Sequence, residues 1–270
     1  MIKVNQDLCT GCGACVRDCF AGDIELTGGK AAAKNSGCFR YGHCIAVCPA
    51  GAVRMTHSRK EDIVPFSDGI AAVEAEGYLD FLRSRRSVRQ FTAAPVSDAD
   101  ISKIIEAGRL SPTGGNRQDT AFCVVREHLP ELREMVLRQL NSMAEPVRRQ
   151  GPTHPDYWYT GIWERMYRSY FSETKRDELF FNAPAAVLVL SKTPLNGAIA
   201  AAHMETMVYA LGLGMVYSGF VTTAAAASGE IRTMLSIPEG YHVVTCMVIG
   251  HPKVRYYRSV PRNEAQVIQR

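Results

Sequence analysis

Apolar residues recur at helical spacing in several segments of the chain. After a Ser-x-x-Asp start at Ser97, residues Ile101, Ile104 and Ile105 follow one another at the spacing of an amphipathic helix over 97–110. Shorter apolar runs have the length of buried strands. We expect further helices at 79–84, 199–213 and through most of 131–180, and strands at 121–125, 185–190 and 243–249.

These helices and strands mix without strict alternation. Regular strand–helix alternation is typical of doubly wound parallel sheets, so the irregular order predicts an α+β domain with helices packed on a central sheet. The Gly-Leu-Gly run at 212–214 follows a predicted helix and lacks a third glycine. A dinucleotide-binding motif is therefore not supported.

The N-terminal part of the chain follows a different pattern, an internal repeat. One constant offset along the sequence relates three cysteine pairs, which are Cys9 and Cys38, Cys15 and Cys44, and Cys19 and Cys48. Duplication predicts two similar units, each a cysteine loop, a short helix and a strand. Charged and small residues with Pro65 and Gly69 follow. We expect a cysteine-rich module over 1–58, a linker over 59–76 and the α+β domain over 77–270.

Composition and charge add few constraints. The 46% hydrophobic and 21% charged residues are ordinary for a globular protein. The net charge of +4 is small, which predicts no nucleic-acid partner. No run reaches the roughly 20 apolar residues of a membrane span, and no signal-peptide core precedes Cys9. We therefore expect a cytoplasmic protein with no membrane partner.

Seven of the nine cysteines lie between Cys9 and Cys48, where they form closely spaced runs. The Cys-x2-Cys-x2-Cys-x3-Cys run from Cys9 resembles that of bacterial ferredoxins, whose fourth cysteine ligates the other cluster. Zinc sites favour looser, paired spacings. The resemblance assigns a complete [4Fe-4S] ligand set of Cys9, Cys12, Cys15 and Cys48.

The second run has Tyr41 where its second cysteine belongs. The other cluster is left with three thiolates, from Cys19, Cys38 and Cys44. Three outcomes stay open: a [3Fe-4S] cluster, a labile [4Fe-4S] cluster completed by water or the Tyr41 phenolate, or no cluster. We favour [3Fe-4S]. Phe20, where proline is usual, is a second departure from the ferredoxin pattern.

One basic cluster departs from the scattered charges. Residues 83–89 hold four arginines and two serines, enough to clamp a phosphate through charge-assisted, bidentate hydrogen bonds. Alone, such a run is usually a solvated surface. Residues 111–118, Ser-Pro-Thr-Gly-Gly-Asn-Arg-Gln, then add turn residues with short polar side chains, which suit a flat heterocycle.

Together these segments resemble the nitroreductase family of FMN enzymes. Four blocks carry the resemblance in the correct order: Arg-Arg-Ser-x-Arg-x-Phe at 85–91, the run at 111–118, Leu-Gly-Leu-Gly to Tyr-Ser-Gly at 211–219, and Ile-Gly-His-Pro at 249–252 with Pro-Arg at 261–262. The chain departs from the family at Asp119 and Thr120, where Pro-Trp is usual.

The resemblance implies roles for the basic residues at an FMN site. Arg85, Arg86 and Ser87 would hold the phosphate and the ribityl chain. Arg89 would lie near the pyrimidine edge of the isoalloxazine ring, where its charge favours the reduced, anionic flavin. Arg262 would return to the phosphate.

The other two blocks imply contacts with the flavin ring. Tyr217, Ser218 and Gly219 would lie along the flavin, with the Ser218 backbone N–H donating to N5. The resemblance assigns no catalytic side chain, and the Tyr217 hydroxyl is a candidate proton source. In the family, one segment comes from the partner subunit of a homodimer, which here contains Pro112, Thr113, Gly114 and Asn116.

The resemblance also implies an architecture and an activity. We expect a small ferredoxin-type module fused to a nitroreductase-like α+β sandwich domain, in a homodimer. It would reduce a nitro compound, a quinone or an activated alkene, with electrons relayed through the clusters. The donor would be a ferredoxin, or NAD(P)H stacked directly on the flavin. A flavin-radical dehalogenase, and a non-catalytic electron carrier or redox-complex subunit, stay open. The aromatic stretch 157–171 is either a substrate lid or helix core.

Overall fold

The computed structural model describes residues 1–56, 58–66 and 73–270. They divide into two compact units, Met1–Val73 with Gly114–Arg117, and Glu74–Thr113 with Gln118–Arg270. Of the predicted linker over 59–76, residues 67–72 lie outside the described residues, and so does His57 of the predicted first module.

The first unit repeats one pattern twice, as the constant offset between the cysteine pairs predicts. A cysteine loop leads into a one-turn helix and then a strand, with α1 (Ala14–Arg17) before β2 (Ile24–Thr27) and α2 (His43–Ala46) before β4 (Val53–Met55). Two antiparallel pairs complete it, β1 (Ile2–Val4) with β4, and β2 with β3 (Lys30–Ala33).

The repeat extends to backbone conformation. Gly13 and Gly42, which the offset pairs, precede the two helices with φ of 71° and 78°. Glycine adopts this left-handed conformation without the steric cost that a Cβ imposes. The duplication predicted from cysteine spacing is therefore confirmed as a duplication of structure.

The second unit is built on a four-stranded antiparallel sheet in the order β5-β6-β8-β7. Its strands are β5 (Thr120–Val125), β6 (Ala185–Ser191), β7 (Gly214–Tyr217) and β8 (His242–Gly250). Every residue of β6 is buried. Since strand side chains alternate between faces, helices must cover the sheet on both sides.

The helices form a layer on each face. One layer contains α4 (Asp98–Arg109) and α7 (Pro194–Ala210), and the other α5 (Leu129–Arg149), α6 (Thr160–Phe171), α8 (Gly219–Ala227) and α9 (Gly229–Met234). Val187 of β6 packs in the first layer, and Leu188 in the second. The predicted α+β sandwich is confirmed.

The element boundaries differ from the predictions in places. Ser97 caps α4 as predicted, since its Oγ accepts from the Asp100 N–H at 3.1 Å. Helix α3 (Ala75–Ser84) begins earlier than expected, within the predicted linker, and α7 begins at Pro194. Strand β7 and helices α8 and α9 were not predicted, because residues 214–234 are small and apolar without a clear period. None of the described helices is long and apolar enough to cross a membrane.

Asp119, one of the departures from the family pattern, joins β5 to α7. Its carboxylate is buried, and it accepts from Thr193 Oγ1 at 2.8 Å and from Asn196 Nδ2 at 2.7 Å. Thr193 is the residue that precedes the first turn of α7, where the helix dipole favours a negative charge. The carboxylate therefore fixes where α7 starts against the sheet edge.

We expect Asp119→Ala to lower the free energy of unfolding by about 1–3 kcal/mol, because it leaves the buried Asn196 amide without this acceptor. Urea denaturation followed by circular dichroism measures the loss. The control is Asp80→Ala, which removes an exposed ion pair with Arg83 and should cost at most about 0.5 kcal/mol. Equal effects of the two substitutions would contradict this role.

Candidate functional site

Four cysteines of the first unit surround one cavity. Cys9, Cys12, Cys15 and Cys48 line it together with small residues such as Gly11, Gly13 and Ala52. Two of the sulfurs accept backbone hydrogen bonds, Cys9 Sγ from Ala31 N at 3.4 Å and Cys48 Sγ from Ala52 N at 3.3 Å. N–H donors to sulfur stabilise thiolates, the form that ligates iron, so this set fits a [4Fe-4S] cluster.

The other three cysteines have the same kind of surroundings. Cys19 Sγ accepts from Asp23 N, and Cys38 Sγ from Arg40 N, both at 3.3 Å. Cys44 is buried. Among the described residues, no three His, Cys, Asp or Glu side chains converge closely enough to hold a single metal ion.

The cysteines also group by their mutual electrostatics. Burial, followed by the charges of Cys38 and Cys19, raises the pKa of Cys44 to about 11. Burial likewise raises the pKa of Cys15, with further contributions from the charges of Cys48, Cys9 and Cys12. After burial, the largest charge effects on the pKa of each buried thiol come from the set that the crossed ligation pattern assigns to it.

Tyr41 takes part in an aromatic group beside the second set. Its ring stacks on Phe39 with centroids 5.4 Å apart, and the Phe20 and Phe39 ring centroids are 6.3 Å apart. All three side chains are exposed. The constant offset of the repeat pairs Tyr41 with Cys12, Phe39 with Thr10, and Phe20 with Pro49. The group therefore has no aromatic counterpart in the repeat.

In the second unit, the arginine segment is fixed along β7. Val88 N donates to Met215 O at 2.9 Å, and Ser87 bridges Met215 in parallel register. A Cβ at Gly214 would lie 2.7 Å from Val88 Cγ2. Glycine at this position therefore lets the arginine segment approach β7. This close approach explains why one position of the Leu-Gly-Leu-Gly block is a glycine.

This arrangement creates a basic cavity of about 320 Å³. Its lining residues are Arg85, Arg86, Ser87, Arg89, Tyr256 and Arg262. Five of the six were predicted, and the structure adds Tyr256, whose hydroxyl donates to Ser87 O at 3.5 Å. The Nε of Arg86 is buried and has no hydrogen-bond partner among the described residues. A buried guanidinium N–H without an acceptor fits an anionic group such as the FMN phosphate.

Sequence reasoning missed Glu205, which pairs with one of the arginines that line this cavity. Its Oε1 pairs with Arg85 Nη1 at 2.9 Å, and both side chains are largely buried. The signal was present, because Glu205 is the one acidic residue of the mostly apolar helix α7, and a buried charge requires a partner. Glu205 therefore orients one of the four arginines.

The Tyr217 hydroxyl contacts groups of its own chain, an arrangement that does not suit a proton donor to substrate. It donates to Ala201 O at 3.0 Å and lies 3.5 Å from Glu205 Oε2. Burial first, and then the charge of Glu205, raise the pKa of Tyr217 far above its ordinary value. A phenol with a raised pKa releases its proton less readily, so the structure does not favour Tyr217 as a proton source.

Ser218, whose backbone N–H was predicted to donate to flavin N5, directly follows β7. Its backbone N–H donates to Cys246 O at 2.8 Å, which continues the β7–β8 ladder by one residue. In the described structure this N–H is used within the sheet, and its contact with flavin N5 stays a prediction. Gly219 begins α8 directly after it.

None of the predicted partner-donated residues is among those that line the basic cavity in the described structure. They are Pro112, Thr113, Gly114 and Asn116. Thr113 Oγ1 accepts from Gln118 N at 3.0 Å. Asn116, in the part of the segment that groups with the first unit, donates to Arg40 O at 2.7 Å.

The aromatic stretch 157–171, expected to be either a substrate lid or helix core, contains both a buried helix and an exposed turn. Trp163 of α6 is fully buried in the core with Met166. Trp158 and Tyr159 are exposed in a 3₁₀ turn that precedes the helix. The helix is therefore core, and only the turn has the exposure of a lid.

Two family models match the chain. One described as "Nitroreductase family" matches residues 82–251, and one described as "4Fe-4S dicluster domain" matches residues 1–49. The first covers more than half of the sequence. The chain belongs to the nitroreductase family.

Similar proteins agree with this family. An Archaeoglobus fulgidus protein named "Putative NADH dehydrogenase/NAD(P)H nitroreductase" is 29% identical over 188 residues, 66% of this chain and 87% of that one. Iodotyrosine deiodinase of Drosophila melanogaster is 25% identical over 209 residues, 70% and 68% of the two chains. A crystal structure of a nitroreductase with bound FMN from Desulfitobacterium hafniense shares the fold, with 22% identity, 71% and 97% coverage, and a TM-score of 0.53.

As a member of the nitroreductase family, the protein is an FMN-dependent oxidoreductase. The match over residues 1–49 shows a ferredoxin-type module that carries a 4Fe-4S cluster. The predicted class of enzyme, the flavin and the iron–sulfur module are confirmed. The roles of individual residues and the exact domain boundaries at 58 and 77 stay predictions.

Proposed function

We propose that this nitroreductase-family enzyme reduces a small conjugated acceptor, a nitro compound, a quinone or an activated alkene, with electrons relayed through its iron–sulfur clusters. The observation that carries the proposal is the presence of two complementary sites in one chain. One is a cavity surrounded by four cysteines and the other a cavity surrounded by four arginines. When bound, the clusters would pass single electrons and FMN would accept two.

The two cluster sites are proposed to differ. The cavity of Cys9, Cys12, Cys15 and Cys48 has the four thiolates of a [4Fe-4S] cluster. The set of Cys19, Cys38 and Cys44 has three thiolates, because Tyr41 stands at the sequence position of the fourth cysteine. The Tyr41 ring stacks on Phe39. We assign a [3Fe-4S] cluster there, with a labile [4Fe-4S] cluster as the alternative.

The basic cavity is proposed to bind the FMN phosphate and ribityl chain. Four arginines line it, and the unpartnered Nε of Arg86 supplies a buried donor among the described residues. Arg262 brings the C-terminal segment to the same cavity, and Arg89 is proposed to lie toward the pyrimidine edge of the ring. These side chains bind and orient the cofactor by charge-assisted hydrogen bonds.

The rest of the FMN site is proposed to need a second copy of the chain. The segment with Pro112 and Asn116 is not part of the lining of the basic cavity in the same chain. A homodimer in which this segment reaches the partner's flavin would complete the site. This arrangement is typical of the family that the sequence matches.

Reductive dehalogenation is a second candidate. A specific observation favours it, because a relative that aligns over 70% of this chain is named iodotyrosine deiodinase. That name describes the relative, at 25% identity. An iodinated phenol therefore belongs among the acceptors that are tested.

We expect anaerobic NADH, NADPH or reduced ferredoxin to bleach the flavin absorbance, and a nitroaromatic or quinone to restore it rapidly. Stopped-flow absorbance measures both steps, and iodide release from the iodinated phenol tests the second candidate. Light scattering of the same sample gives the subunit number. A flavin that no acceptor reoxidises would leave an electron carrier, and a monomer with full FMN would contradict the shared site.

We expect Arg86→Ala to weaken FMN binding roughly 10- to 150-fold, the equivalent of one charged hydrogen bond of about 1.5–3 kcal/mol. Quenching of FMN fluorescence on titration with apoprotein measures the dissociation constant. The control is Arg83→Ala in the same basic run, because Arg83 is exposed and pairs with Asp80. A similar loss in both variants would indicate a non-specific effect of charge.

We expect Tyr41→Cys to restore a fourth thiolate and convert the second cluster to [4Fe-4S]. Iron and sulfide per chain should rise, and the paramagnetic signal of an oxidised three-iron cluster should disappear from the EPR spectrum. Tyr41→Phe is the control, since it keeps the ring and removes the phenol. A wild-type protein without the three-iron signal would contradict the assignment.

A further inference from the structure

The two halves of the first unit serve as references for each other. The constant offset of the repeat pairs Asp23 with Ala52, and the two backbone N–H groups have the same role. Asp23 N donates to Cys19 Sγ and Ala52 N to Cys48 Sγ, both at 3.3 Å. The backbone is therefore equivalent at the two positions, and of this pair only Asp23, beside the second set of cysteines, has a carboxylate.

The Asp23 carboxylate connects two cysteine loops. Oδ1 accepts from Ser36 N at 2.8 Å, from Ser36 Oγ at 3.1 Å and from Gly37 N at 2.9 Å. Gly37 directly precedes Cys38, so a side chain close after Cys19 holds the loop that presents Cys38. Asp23 therefore contacts the loops of two of the three ligands.

The first half satisfies the equivalent N–H groups locally. There Asp7 N and Leu8 N donate to Asn5 Oδ1 at 2.9 and 3.4 Å, and Asn5 lies in the same loop. The Ala52 side chain is a methyl group, which cannot accept a hydrogen bond from the opposite loop. The connection across the loops is thus particular to the set of cysteines that lacks a fourth thiolate.

The second carboxylate oxygen has no partner within the described part of the chain. Asp23 Oδ2 is buried and makes no hydrogen bond there, and the residue is 1% exposed. A buried, incompletely paired charge is costly, which is unusual for a residue with only a packing role. At the same set of cysteines, Tyr41 replaces a thiolate and so removes a negative charge from the cluster site.

We propose that Asp23 is a positioning residue for the second cluster, which fixes the Cys19 and Cys38 loops and supplies a negative charge in place of the missing thiolate. The proposal rests on the proposed function, because it requires a cluster on Cys19, Cys38 and Cys44. Net charge near a cluster sets its reduction potential, and a nearby negative charge opposes the addition of an electron. Asp23 therefore lowers the potential of this cluster.

The test uses the full-length protein purified anaerobically, with Asp23→Asn, Asp23→Ala and, as the matched control in the first half, Asn5→Ala. Iron and sulfide analysis gives cluster content, and EPR-monitored redox titration gives the potential of each cluster. In both Asp23 variants, the first cluster and the flavin are internal references.

We expect Asp23→Ala to lose the signal and the iron of the second cluster and to keep those of the first. Asp23→Asn keeps an acceptor at Oδ1 and should retain both clusters, with a higher potential for the second cluster alone. Asn5→Ala should leave the second cluster unchanged. This rescue of cluster content by asparagine, together with a shift in potential, separates positioning from general stability.

The proposal is overturned if Asp23→Ala keeps both clusters with unchanged spectra, or if the potential in Asp23→Asn equals that of the wild type. If Asp23→Ala does not fold, the potential in Asp23→Asn decides. A wild-type protein with iron for one cluster only would overturn the second-cluster assignment itself, which is a distinguishable result.

Discussion

The two-sided burial of β6 and β8 is the constraint on which the second unit depends. Successive side chains such as Val187 and Leu188 enter opposite helix layers, so neither layer can shift without exposing apolar surface. With the sheet fixed, β7 becomes the template for the arginine segment. Gly214 lets Val88 approach β7, and arginines on either side of Val88 then line one cavity.

The two units gather charges of opposite sign, arginine guanidiniums in the second and cysteine thiolates in the first. In the second unit, four arginines repel one another around the cavity, and Glu205 neutralises only Arg85 among the described pairs. In the proposed site, an anionic cofactor completes the balance. In the first unit, burial and closely spaced thiolates raise the pKa values of Cys15 and Cys44, and in the proposed cluster sites iron supplies the positive charge. Both sites are therefore arranged for charged cofactors.

The internal duplication makes the departures in the first unit interpretable. Two halves with matching backbone hydrogen bonds differ at Cys12 and Tyr41, and at Ala52 and Asp23. One change removes a thiolate and the other adds a buried carboxylate. Comparable logic applies to Asp119 in the second unit, where a departure from the family pattern proves to anchor the start of α7.

The sequence by itself determined the cofactor classes and the fold class, because cysteine spacing, the arginine run and hydrophobic periodicity are local patterns. It also predicted five of the six residues that line the basic cavity. Only the tertiary structure decided how distant groups are used. Ser218 N–H is bound by Cys246 O, Tyr217 turns to Ala201, and Asp23 reaches the Cys38 loop. Such partners depend on strand register and loop packing, which bring together residues far apart in the chain and leave no local signal.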